Sequence, residues 1–167
     1  MRAVTYGQYD AIKKKYKTLL PNLYVTEHVL TPDEIIGKSS NEKFAAQWFK
    51  KHVIDEKGYN IKDFIVTSSD VDHVFHPKHF ASLTYKFLKS KKPYLTFWQG
   101  ALLYFNNIWR VPVFIRVPDT LGSIWNLSQL PRRDRLINVA NYSLSFKLLD
   151  DVGYWDADKI PEDWGIF

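Results

Sequence analysis

Short β-rich runs alternating with two apolar helical stripes predict an α/β layer fold for this chain. The runs are Phe64-Ile65-Val66 and Tyr94–Trp98, and the stripes fall within 44–53 and 80–88. With no internal repeat or low-complexity tract, residues 1–167 are expected to form one domain.

Reading forward, Gln8 to Leu19 has the pattern of a short basic helix closed by Pro21. Leu23 to Val29 alternates like a strand, and Thr31-Pro32-Asp33 turns the chain. Ser39 to Lys57 is the strongest helix. Ser39 and Glu42 have capping-box spacing, and Phe44, Ala45, Trp48, Phe49 and Val53 make one apolar face that Gly58 ends. Asp63 to Thr67 predicts a buried strand emptying into the polar Ser68-Ser69-Asp70 loop. Pro77 suits a helix start, ahead of a stripe of Phe80, Leu83, Thr84, Phe87 and Leu88. Tyr94 to Trp98 predicts another strand. In Ala101 to Leu130 the prolines at 112 and 118 argue against one long helix, so short and amphipathic pieces are expected. Leu136 to Ala140 fits a strand, Tyr142 to Leu149 fits either helix or strand, and Pro161-Glu162-Asp163-Trp164 fits a helical first turn.

At 167 residues the chain can bury roughly two thirds of its unfolded surface, enough for its own core. Apolar content of 46% with 25% charge excludes wholesale disorder. The 16% aromatic share exceeds what a core alone asks for and leaves rings for a sugar site, a membrane or a partner. A net charge of +5 favours an anionic partner, which nucleic acid, a nucleoside diphosphate or an acidic lipid surface would each satisfy. The lack of cysteine excludes disulfides and thiolate metal sites. No signal-peptide core and no run of about 18–20 apolar residues is visible, so a soluble or peripheral chain is expected.

Three clusters could carry chemistry. Asp70-Val71-Asp72-His73 directly follows a strand, the position at which ligands gather in open α/β sheets. Alternating carboxylates on a loop can share one hard divalent cation, although such pairs are common on loops and a simple capped turn is the more frequent explanation. His73, His76 and His79 recur every three residues, but a structural zinc site wants four ligands, so helix-start and surface roles are favoured. Glu162 and Asp163 sit in a helical first turn, which the helix dipole alone would explain. Either carboxylate could also accept a proton from an attacking hydroxyl. Trp155 and Trp164 could face sugar rings, with core packing the commoner fate. Serine-nucleophile, phosphate-loop and dinucleotide signatures are absent.

Taken in order, four segments resemble the family 2 glycosyltransferases of the GT-A fold, including cellulose and hyaluronan synthase relatives. Gly37-Lys38-Ser39-Ser40-Asn41 resembles the Gly-Lys-x-x-Asn helix start. Ile65 to Asp72 resembles the strand ending in Asp-x-Asp, and Trp98-Gln99-Gly100 lies where such enzymes run a strand below the acceptor. Val152-Gly153-Tyr154-Trp155 with Ile160 to Trp164 resembles the Val-Gly-Gly-Phe and Thr-Glu-Asp pair.

The resemblance implies a GT-A-like layered sheet and a metal-dependent inverting transfer of sugar from a nucleotide-sugar donor to a carbohydrate or lipid-linked hydroxyl. Asp70 and Asp72 would hold Mg²⁺ or Mn²⁺; Lys38 and His73 would join them at the donor. Asp163 would be the base, supported by Glu162. Trp98, Gln99, Tyr142, Ser143 and Trp164 would face the acceptor, Asn141-Tyr142-Ser143 falling near the acceptor loop. The family's N-terminal nucleotide-binding segment, its Gln-x-x-Arg-Trp element and its membrane helices have no counterpart here, which implies a partial catalytic domain of a longer protein. The expected place is the cytoplasm or the cytoplasmic face of a membrane, with peripheral membrane contact and a homo-oligomer both compatible. A non-catalytic GT-A-like scaffold is the alternative, and a basic nucleic-acid binder a second; nucleic acid is not the expected partner.

Overall fold

The computed structural model describes residues 10–11, 14–16, 18–70, 72–132 and 141–158. These residues mix α and β, as expected, around a three-stranded antiparallel sheet. In chain order the elements are α1 (Lys38–Phe49), β1 (Ile65–Ser69), α2 (His79–Lys89), β2 (Phe97–Gln99), α3 (Val113–Gln129), β3 (Asn141–Ser145) and α4 (Phe146–Asp151). A π-helical stretch, Lys50–Asp55, prolongs α1 until Gly58 turns the chain at φ 68°.

β3, the last strand in sequence, lies between β1 and β2 and is antiparallel to both. It is buried at all five positions. Alternation sends its side chains to two different faces. Tyr142 and Leu144 enter the apolar core with Ile54, Phe146, Leu149 and Trp155. The other face is polar, and there the Ser143 hydroxyl meets Thr67 Oγ1 at 2.8 Å across the β1–β3 pair. Fully burying one such large apolar side chain contributes about 1.5–3 kcal/mol, so the Tyr142/Leu144 face is what fixes the strand's register.

Several sequence expectations change. Leu23 to Val29 is not a strand: among the described residues it pairs with none of the three strands, and it packs its rings on α1, with Tyr24 5.5 Å from Trp48 and His28 stacked 4.5 Å from Phe44. The capping box does not form. Gly37 is the N-cap of α1, without a side-chain cap, because Glu42 instead accepts a 2.7 Å hydrogen bond from Ser68 on β1. Of the stripe on α2, Leu83 and Phe87 are buried while Phe80 and Leu88 are exposed. β1 is half-buried, with Ser68 alone fully covered, because it lies at the edge of the sheet.

The stretch expected to hold only short helices contains the 17-residue α3, with Pro118 inside it. Proline there removes the donor that would reach the Phe114 carbonyl, one bond near the helix start. Side-chain bonds further along, from Ser123 and Asn126, hold the helix in place regardless. Tyr142 to Leu149 resolves its ambiguity by being both: a strand that becomes a helix at Ser145, whose hydroxyl caps α4 by accepting from the Leu148 amide at 3.0 Å. Residues 10, 11 and 14–16 are helical within the expected first helix. The expected strand at 136–140 and the turn at 161–164 lie outside the described residues.

Candidate metal and ligand cavity

Because β1 and β2 are both antiparallel to β3, they run in the same direction. Their C-terminal ends therefore meet at one edge of the sheet, beside the first residue of β3. Ser69 pairs with Asn141 and Gln99 with Tyr142. The loops leaving Ser69 and Gln99 start from this edge, and they wall a cavity of about 710 Å³. Asp70, Asp72 and His73 line one side, Gly100 to Tyr104 with Asn106 the other, and His79 and Asn141 the interior.

The acid loop is locally ordered by its own polar groups. Ser69 Oγ lies 3.0 Å from His73 Nδ1, the His73 amide donates to the Asp70 carbonyl at 3.2 Å, and Asn106 Nδ2 donates to the Asp72 carbonyl at 3.2 Å. One ligand atom from each of Asp70, Asp72 and His73 lies within 4.8 Å of the others. That spacing suits a single hard cation, which takes carboxylate oxygens readily and tolerates an imidazole nitrogen. Lys38, from the start of α1, donates to Asp70 Oδ1 at 2.9 Å and lies 3.8 Å from Glu42. One Asp70 oxygen thus carries an ammonium, and the second remains for a cation.

Deeper in the cavity the polar groups are under-satisfied. Asn141 is only 8% exposed, and its Oδ1 has no hydrogen-bond partner among the described residues. His79 Nε2 is in the same condition. Burial lowers the His79 pKa, with Lys86 adding to the effect, so the ring is held neutral. Gly100 packs against both: a Cβ there would lie in ordinary van der Waals contact, 3.6 Å from His79 and 3.7 Å from the Asn141 amide nitrogen. A buried acceptor left unpaired costs about 1–3 kcal/mol, which a polar molecule bonding to it in the cavity would offset.

The remaining expected residues distribute unevenly. Trp98 packs on Phe87 at 5.6 Å, and neither it nor Gln99 lines the cavity. Tyr142 is fully buried, stacked on Phe97 at 4.9 Å, with its hydroxyl accepting from Trp155 Nε1. Ser143 is buried against Thr67. These two residues build the sheet core. Trp155 likewise is core, delivered there by the left-handed backbone of Gly153 and Tyr154 at φ 82° and 70°. Glu162, Asp163 and Trp164 lie outside the described residues. His76 accepts from the Lys78 amide at 3.2 Å, a helix-start role. Asn106 carried no signature in the sequence beyond its polarity, whereas Asn141, which the resemblance set near the acceptor loop, does line the cavity. No helix of the described residues is long and apolar enough to cross a membrane. Comparison of the chain with protein-family models, curated proteins and solved structures gave no match.

Proposed function

We propose that this chain carries the metal-binding and catalytic part of a GT-A-like, inverting glycosyltransferase that uses a nucleotide-sugar donor. The observation that carries the reading is the meeting of Asp70, Asp72 and His73 in the lining of a cavity shared with the buried Asn141, whose Oδ1 has no partner among the described residues. A cavity of about 710 Å³ lies within the usual range for small-ligand sites.

The residues fit Mg²⁺ or Mn²⁺ by the chemistry of their donors, two carboxylates and one imidazole on a loop. When bound, such an ion supplies positive charge against a departing diphosphate. Lys38 is placed beside Asp70 to offer a second positive charge to the same phosphates. Asn141 and His79 offer polar atoms to a hydroxyl-rich ligand deeper in. Asp163 is the proposed base and Glu162 its neighbour, and a carbohydrate or lipid-linked alcohol is the proposed acceptor. The cytoplasm or the cytoplasmic face of a membrane is the proposed location.

Isothermal titration of the chain with Mn²⁺ and a panel of nucleotide sugars tests the proposal. Asp72→Asn is expected to abolish metal-dependent donor binding. Asp163→Asn is expected to retain binding and lose transfer. Equal donor binding by the wild type and Asp72→Asn would remove the metal role.

A further inference from the structure

The helix α3 is turned inside out. At about 100° per residue, Val113, Phe114, Val117, Leu121, Ile124 and Trp125 fall within an arc of about 120°, and each is 48% or more exposed. The side that faces the protein is polar. Ser123, with no exposed surface, accepts from the Tyr104 amide at 2.9 Å and donates to the Asp119 carbonyl at 2.9 Å. Asn126, 8% exposed, donates to the Leu102 carbonyl at 3.4 Å. A helix on a water-facing surface has the opposite arrangement, because apolar area is what gains from leaving water. An apolar stripe some four turns long marks a contact surface.

We propose that this face docks on an anionic lipid surface. Charge selects the occupant. Between 109 and 132 the charged residues are Arg110, Arg116, Arg132 and the single acid Asp119. Arg110 and Arg132 are exposed at the two ends of the helix, whereas Asp119 falls on the protein-facing side of the wheel. Arg116 lies 5.4 Å over the ring of Trp109, which is 81% exposed, so an indole and a guanidinium stand together beside the first turn. An apolar face with cations at its margins and tryptophan at its edge is the composition of helices that lie in the headgroup layer. A second copy is disfavoured by the same charges, since self-pairing brings arginine ends together with no acid on the face between them. The anchoring side of α3, opposite the apolar face, bonds to Leu102 and Tyr104 of the cavity wall, so a docked helix would hold that wall from behind.

Vesicle co-sedimentation of the full chain tests the inference, with chelator present and no nucleotide, so its outcome is separate from that of the sugar-transfer reading. The expected result is partition onto phosphatidylcholine vesicles containing phosphatidylglycerol, weaker on phosphatidylcholine alone and reduced by salt. Leu121→Gln/Ile124→Gln removes two exposed apolar side chains without touching the anchoring polar face, and is expected to lower partition about tenfold at unchanged far-ultraviolet circular dichroism. Arg110→Gln is expected to weaken binding to anionic vesicles alone. No partition by the wild type, equal partition by the double variant, or a wild-type dimer that the double variant dissolves would each overturn the assignment to lipid.

Discussion

Ser69 on β1 pairs with Asn141 on β3, and this one register position fixes the acid loop beside the buried amide of the cavity. The two residues are separated by most of the chain's described interior, including α2, β2 and α3. Their adjacency exists only through the antiparallel insertion of β3 between two earlier strands.

Asn141 should therefore be expensive to keep and valuable to a ligand. Asn141→Leu removes a buried oxygen without a described partner, so stability in denaturant is expected to hold within about 1 kcal/mol or to rise. Titration of the same variant with Mn²⁺ and donor should show weakened binding. A loss of 3 kcal/mol or more in stability would mean that the amide is structurally bonded (~3 kcal/mol being the upper cost of breaking such a bond).

Lys38 shares Asp70 with any cation that binds there. The pair is partly exposed and screened, hence worth about 0–1 kcal/mol. Lys38→Met is expected to tighten binding of Mn²⁺ alone by up to about fivefold, while weakening the metal–donor complex that needs the ammonium. Unchanged Mn²⁺ affinity would show that the ammonium does not compete with the cation for the Asp70 carboxylate.

The neutral state of His79 has a pH signature. Its folded pKa lies below the ordinary value because burial disfavours the charged ring. Below about pH 6.5 the unfolded chain takes up a proton that the folded chain does not, so the stability this residue contributes is lost as pH falls through that window. The slope is bounded at about 1.4 kcal/mol per pH unit. Comparing denaturant midpoints at pH 7.5 and 5.5, His79→Gln should lose less stability than the wild type.

Gly153 ends α4 at φ 82°, and a Cβ there would meet nothing within 4 Å. Gly153→Ala thus isolates backbone strain from crowding, with an expected cost of about 1 kcal/mol. Thermal unfolding measures it. Leu144→Ala, by contrast, opens a void at the centre of the sheet and is expected to cost about 2–5 kcal/mol.

Local pattern made much of this architecture legible. The Asp63 to Thr67 run and the polar residues after it located β1 and the acid loop, because a short apolar run ending in serines and aspartates states both a strand and its exit. Hydrophobic spacing found α1 and α2. What pattern could not supply was partnership. Leu23 to Val29 alternates like a strand but joins no sheet among the described residues, and Glu42 satisfies a capping template yet bonds to Ser68 from another element. Tyr142 and Ser143 look like polar site residues, and only the sheet's central slot makes them core. In α3 the prolines point to short amphipathic pieces, and amphipathicity alone does not say which side turns inward, so neither the continuous helix nor its inward polar side follows from the sequence.

Ser145 closes β3 opposite Ile65 and opens α4 through its own hydroxyl, leaving no connecting residue between the two elements. Without a linker there is no joint at which the strand could tilt independently, so the Asn141 end moves only as far as the whole strand–helix unit moves. The base of the cavity is consequently stiff. Adjustment to the size of an incoming molecule then falls to the two loops that leave Ser69 and Gln99, making them the place to alter when a different molecule is to be accommodated.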